Sequence, residues 1–143
     1  MEKEIPFESR FLIHKKIGKG TFGKVFSGLD IKTNKLVALK IEYAKRSRSL
    51  IEEAKVLRQL AMIKGIPRIR ACGKVEQNVV IVQDLLGPNL EFLRKKQNKK
   101  LSIITVMLIA DQVITRLQAM HERGFIHRDI KPDNIVIGPI DNP

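Results

Sequence analysis

The sequence has one cysteine, no tryptophan, one tyrosine and six phenylalanines in 143 residues. A lone thiol, Cys72, has no partner for an internal disulfide or a zinc site, so it reads as a small core residue. Aromatics this sparse leave no stacking platform for single-stranded nucleic acid. None is interleaved with the densest basic stretch, Arg94-Lys95-Lys96-Gln97-Asn98-Lys99-Lys100, which holds five cations in seven residues. Specific nucleic-acid recognition is therefore not expected. Long apolar runs are missing too: the longest charge-free stretch near the middle, Leu101 to Ala110, is ten residues. A bilayer span needs roughly 18 to 20, so no membrane segment is expected. The amino end, Met1-Glu2-Lys3-Glu4-Ile5-Pro6, has acidic residues and a proline where a secretory signal needs an apolar run. An intracellular protein, cytoplasmic or nuclear, is the expectation. Acidic residues are the last shortfall: 15 Asp+Glu stand against 27 Lys+Arg, a net charge of +12. Such a surface suits an acidic partner, which composition alone does not identify.

What is present is a 43% hydrophobic chain of ordinary domain size, with enough apolar residues to bury a core. Phe11-Leu12-Ile13 opens a strand, and Gly18, Gly20 and Gly23 punctuate the turn to a second strand around Val25 and Phe26. Leu36 to Ile41 forms a third, so the start is an antiparallel meander. Ser49 is placed to cap a helix running to about Met62, with Ile51, Ala54, Leu57 and Leu60 or Ala61 on one side. Gly65-Ile66-Pro67 stops it. Two more strands are expected near Arg68 to Cys72 and Asn78 to Gln83, and the Gly87-Pro88 punctuation marks a boundary. Beyond it come a short basic helix from Asn89 to about Lys96 and a long one after a Ser102 cap. The long helix carries Val106, Ala110, Val113, Ile114, Leu117 and Met120 on one stripe and ends at Gly124. A loop follows, with a short strand at Asn134 to Ile137. The fold class is α+β, divided into an extension (1–10), a sheet-rich part (11–87) and a helical part (88–143).

Three motifs carry chemistry. Gly18-Lys19-Gly20-Thr21-Phe22-Gly23 matches G-x-G-x-x-G, which fits a dinucleotide turn, a phosphate-binding glycine loop or a plain glycine hairpin. A dinucleotide fold would open a helix after Gly23, whereas Lys24-Val25-Phe26-Ser27-Gly28 is β-prone, favouring a loop between antiparallel strands. Seventeen residues after Gly23, Lys40 ends the apolar run Val37-Ala38-Leu39. Read alone it is also a strand-end surface lysine, but a buried ammonium requires an anion. Glu53 on the expected helix is the best-placed carboxylate; Glu52 lies about 100° around that helix. The most specific string is His127-Arg128-Asp129-Ile130-Lys131-Pro132-Asp133-Asn134. There Asp129 could accept a proton from an attacking hydroxyl, Lys131 could neutralise phosphoryl charge, and Asn134 could hold Mg²⁺ through its amide oxygen.

With these three motifs in this order, the chain resembles the first half of a eukaryotic protein kinase domain, and more narrowly the casein kinase I family. The narrower resemblance rests on Glu53-Ala54-Lys55, Gly65-Ile66-Pro67, Asp84-Leu85-Leu86-Gly87-Pro88-Asn89-Leu90-Glu91 and Phe125 to Asn134. It implies a kinase fold with an antiparallel small lobe, one helix, and the first part of a mainly helical large lobe. It also implies a serine/threonine kinase using ATP and Mg²⁺, Lys131 marking the serine/threonine type. By position, the ATP site would comprise Ile17, Gly18, Lys19, Gly20, Thr21, Phe22, Gly23, Lys24 and Val25. Ala38 would join Ile17 and Val25 as the adenine roof, Lys40 and Glu53 would set the phosphates, Leu86 would offer hinge hydrogen bonds, and Val136 would be the floor. Asp129, Lys131 and Asn134 would be catalytic, Asn134 also binding metal. The family prefers acidic or already phosphorylated substrates, which gives the net charge of +12 a partner.

Two departures accompany the resemblance. Gln83 stands at the gatekeeper position, where the family usually has an apolar residue. The 143 residues contain no Asp-Phe-Gly string, whose Asp is the principal Mg²⁺ ligand in kinases. The competing expectation is accordingly a truncated or pseudokinase-like chain that binds nucleotide or protein without turnover, with an uncovered apolar stripe on the long helix.

Overall fold

The computed structural model describes residues 7–19, 23–43, 48–98 and 100–138. After a short helix α1 (Phe7–Arg10), strands β1 (Phe11–Lys19), β2 (Gly23–Asp30) and β3 (Lys35–Tyr43) form a meander. Helix α2 (Arg48–Gln59) follows, then the hairpin β4 (Ile69–Val75) and β5 (Asn78–Asp84). All neighbouring strands pair antiparallel, in the order β1-β2-β3-β5-β4. Alternation along the strands sends successive side chains to opposite faces. Phe11, Val37, Leu39, Val80 and Val82 cluster on one face, while Val79 and Ile81 pack on the other with Leu50 and Ala54 of α2. That is why β5 reads as the unbroken run Val79-Val80-Ile81-Val82: its apolar residues are buried on both sides.

Helix α2 differs in detail from its expected form. It begins at Arg48, so Ser49 lies inside the first turn, and it ends at Gln59 rather than about Met62. Its buried pair is Leu50 and Ala54, one turn apart, with Ile51 and Leu57 half-buried. Leu60 is buried, but beyond the helix end. Leu50 was missed because it sits next to the expected cap, where the period had not yet been counted.

Two compact units are distinguishable among the described residues, one made of residues 7–59 and 67–85 and the other of 60–66 and 86–138. The second holds α3 (Leu90–Lys96) and α4 (Ile103–His121). The Asn89 side chain accepts from the Phe92 N–H at 2.8 Å to start α3, and Ser102 accepts from Thr105 N–H at 3.1 Å to start α4. Gly124 closes α4 at φ +79°. Its N–H donates to the His121 carbonyl at 2.8 Å, and that of Phe125 to Met120 at 3.1 Å. These two bonds make the Schellman ending that the glycine forecast.

The stripe on α4 is only partly covered. Met120 is buried and Ala110, Val113 and Leu117 are half-buried, but Val106 and Ile114 are 45% and 63% exposed. Ile103, Ile104, Met107 and Leu108 are exposed as well. By length and composition alone this helix is apolar enough to cross a membrane, contrary to expectation. A count of charge-free residues did not register it because Asp111 and Arg116 interrupt the run. Met120 is the helix's only buried residue, and most of its surface is exposed among the described residues. The strand expected at Asn134 to Ile137 reduces to a single bridge, Val136 to Asn89.

Candidate functional site

The first group of site residues grows from strand register in the first unit. Val25 lies opposite Lys40, and Gly23 opposite Glu42; Ala38 lies opposite Gln83. Partners in register share a face, so Val25, Ala38, Lys40, Glu42 and Gln83 lie together, back to back with Leu39 and Ile41. A helical turn of α2 brings Glu53 to the same place, and the Lys40 ammonium donates to its carboxylate. The carboxylate expected from sequence is the one that pairs; Glu52 instead binds Lys55.

Gly23 is required by contact. A Cβ there would lie 2.5 Å from the Ile41 carbonyl oxygen and 2.6 Å from Glu42 Cγ. Gly18 lies opposite Val25, and Ile17, Lys19 and Lys24 are exposed beside it. Gly20, Thr21 and Phe22 of the loop lie outside the described residues.

Glu42 is the residue that sequence reading passed over. It is 3% exposed and its Oε2 has no hydrogen-bond partner among the described residues. Burial pushes its carboxyl above the usual range; Lys40 pulls it down and Glu53 pushes it up. The signal was available, since Glu42 follows Lys40 by two residues and therefore shares its face.

In the second unit a local network assembles the loop residues. Asn134 Nδ2 donates to the Asp129 carboxylate at 2.8 Å and to the Asp129 carbonyl at 2.9 Å. The Lys131 ammonium stands 2.9 Å from the same carboxylate oxygen. Pro132–Asn134 forms a 3-10 turn, closed by Asn134 N–H donating to Lys131 at 2.9 Å, which swings the amide back onto Asp129. Arg128 has φ +69°, an uncommon conformation for a non-glycine residue. Lys131 first, then Asn134, holds the Asp129 carboxyl below the usual range. The side chain of Asp129 is 61% exposed, so the carboxylate is ionised and reachable.

Leu86 is half-buried where the chain enters the second unit. Val136 is 38% exposed, and around it Leu90 N–H donates to Ile135 and Ile137 N–H to Pro88. These bonds tie the end of the loop to the start of α3.

Residues 11–142 match the protein kinase domain family. The chain belongs to that family. Kinases of this kind carry a Lys on the third strand paired with a helix Glu, and a catalytic loop of the His-Arg-Asp type. The chain is therefore a kinase-family member, of the class that transfers phosphoryl groups to proteins from ATP with Mg²⁺. With Nδ2 committed to Asp129, Asn134 keeps Oδ1 as a free acceptor suited to a hard cation. No cluster of three His, Cys, Asp or Glu converges among the described residues, so a bound cation would take one oxygen from Asn134 and others from phosphates.

Proposed function

We propose that this kinase is a serine/threonine enzyme of casein kinase I type, acting on acidic or already phosphorylated proteins. The observation that carries it is the Asp129 carboxylate held between Lys131 and Asn134. Asp129 would accept the proton of a Ser or Thr hydroxyl as its oxygen attacks the γ-phosphorus of ATP in line. Lys131 would offset charge on the transferred group, and the depressed Asp129 carboxyl stays ionised at neutral pH to act as base.

The remaining roles follow the kinase pattern. Lys40, steadied by Glu53, would bind the α- and β-phosphates, and glycine-loop amides from Gly18 to Gly23 would cover them. Ile17, Val25 and Ala38 would roof the adenine, Val136 would be its floor and Leu86 the hinge. Lys19, Thr21, Phe22 and Lys24 complete the loop. Asn134 would hold Mg²⁺, which when bound offsets charge on the phosphates. The Ser/Thr and casein kinase I assignments rest on Lys131 and on strings such as Asp84 to Glu91 and Phe125 to Asn134; the net charge of +12 supports acidic substrates. An intracellular location accompanies such substrates.

A second reading, nucleotide binding without turnover, is favoured by the sequence, in which no Asp-Phe-Gly string supplies the principal Mg²⁺ ligand of kinases. One experiment separates the two: incubation with γ-labelled ATP, Mg²⁺ and matched acidic peptides bearing Ser, Thr or Tyr, each with and without a phosphoserine primer. Label on Ser and Thr, enhanced by acidic or primed context, is expected. Equal labelling of Tyr or of a basic peptide overturns the assignment. Nucleotide binding with no labelling selects the second reading.

A further inference from the structure

The sheet face turned away from Lys40 carries a hollow that phosphotransfer does not use. Leu39 and Val80 form its buried floor, and Ile13, Ile41 and Val75 its walls, around a half-open space of about 130 Å³. At Ile41 and Asn78 it continues into a wider depression of about 400 Å³ lined by Lys24, Phe26 and Tyr43.

The rim is basic. Lys16 lies opposite Phe26 in register and Lys19 opposite Lys24, so all three lysines stand on this face. They are exposed, and none is ion-paired among the described residues.

Size and charge together select an occupant. An apolar cavity of about 150 Å³ holds benzene, so the inner hollow matches one aromatic ring or branched aliphatic side chain. Three unpaired cations beside it call for carboxylates or phosphates. Membrane surfaces are engaged by apolar residues projecting into them, whereas this site is concave and receives a side chain.

We propose that this face docks an acidic peptide segment that inserts one Phe, Leu or Ile into the hollow. Register shifts in β1 place Lys16 and Lys19 opposite Phe26 and Lys24, two and four β2 residues from Gly28, the partner of Ile13, a distance of about 7 to 13 Å. The acidic residues of the ligand therefore begin two to four extended positions from its apolar anchor. Lys19 and Lys24 also belong to the proposed phosphate loop, but there through backbone amides; their side chains stand on the face opposite Lys40, so docking needs neither nucleotide nor turnover.

The test uses the 143-residue chain and a fluorescein-labelled peptide, Gly-Phe-Gly-Gly-Glu-Glu-Asp-Glu, which has no acceptor hydroxyl. Anisotropy at low ionic strength should show saturable binding that weakens with salt. Replacing the peptide's Phe by Ala should weaken binding about tenfold or more. Ile13→Glu should abolish it and Lys16→Glu should weaken it about threefold. Both variants alter exposed side chains on an edge strand, and retained thermal unfolding shows that they fold. Saturating ATP with Mg²⁺ should not displace the peptide. The proposal is overturned by absence of binding, by equal affinity for the Phe and Ala peptides, or by variants that bind like the parent. Displacement by ATP also overturns it. So does tighter binding to phosphatidylserine vesicles than to the peptide, abolished by Ile13→Glu, which identifies a membrane site.

Discussion

Gln83 lies directly opposite Ala38 in the β3–β5 ladder. The amide therefore sits next to Ala38, the small buried residue that would roof the adenine in the proposed function, on the face that also carries Lys40. On that proposal Gln83 puts a donor and an acceptor where an apolar residue is usual. Gln83→Met conserves volume at a half-buried position, so stability should change by less than about 1.5 kcal/mol. The variant should gain affinity for an adenine analogue carrying an apolar N6 substituent while binding ATP within about fivefold of the parent. Calorimetric titration with the two nucleotides checks both halves. Unchanged discrimination between them would remove Gln83 from the nucleotide pocket.

The Lys40 and Glu53 pair makes a different prediction. Both side chains are partly exposed, at 28% and 42%, and exposed ion pairs stabilise by about 1 kcal/mol or less. Lys40→Met should therefore melt within a few degrees of the parent yet weaken binding of a fluorescent ATP analogue about tenfold or more. Glu53→Gln should show a smaller loss, because the lysine remains but is no longer held. Equal nucleotide affinity in all three proteins would show that the pair is only structural.

Asp129 can be read by its titration. Lys131 contributes most to its depressed carboxyl, followed by Asn134. Lys131→Ala should move that carboxyl up toward the ordinary Asp value, and Asn134→Ala should move it less; carbon-detected NMR of the side-chain carboxyl follows the change. In a chain that carries an Asp-Phe-Gly segment, Asp129→Asn should abolish phosphotransfer while ATP binding persists. Unchanged labelling of an acidic peptide by that variant would refute the assignment of Asp129 as base.

Two buried carboxylates should move acid stability in opposite directions. Asp30 is 1% exposed, and it accepts from Arg10 Nε at 2.9 Å and Nη2 at 2.7 Å, with Thr33 and the Lys32 N–H also donating. Its carboxyl is held below its ordinary 3.8, chiefly by Arg10. The resulting stability is present above that pH and is lost as pH falls through the lowered value. Arg10→Ala leaves the buried carboxylate without its main partner and should cost about 2 kcal/mol at neutral pH.

Glu42 has the reverse sign, because burial raises its carboxyl above the ordinary 4.5. The protonated form is favoured in the fold, so its contribution is intact below that pH and declines as pH rises through the raised value. Glu42→Gln should accordingly raise the melting temperature at pH 7. That gain should shrink below the ordinary Glu value. Thermal melts across a pH series test both carboxylates.

The second unit's loop was the most legible part of the molecule. Asp129, Lys131 and Asn134 lie within five residues, and Pro132 presets the turn that folds the amide back. The cap at Ser102 and the ending at Gly124 were equally readable, because each involves backbone groups a few positions away, whereas Asn89, expected inside α3, proved to be its cap. The strands were readable as apolar runs between glycines, although β1 and β2 extend well beyond Phe11–Ile13 and Val25–Phe26, and the choice of Glu53 over Glu52 was readable from helical rotation.

What remained illegible depends on neighbours distant in the chain. Leu50 rather than Leu57 is the buried anchor of α2 because Val79 and Ile81 lie beneath it. Nothing in residues 48–59 announces those neighbours. The unpaired oxygen of Glu42 and the pairing of Arg10 with Asp30 likewise follow from strand register, not from local pattern. So does the hollow above Leu39, whose walls come from three strands that the sequence separates widely. Local hydrogen bonds and periodicity, acting over a few residues, determined the loop chemistry, the caps and the sheet-forming segments from sequence alone. Burial, and therefore which charges are costly and which cavities exist, was decided only when distant strands and helix met, because desolvation depends on the whole surrounding volume.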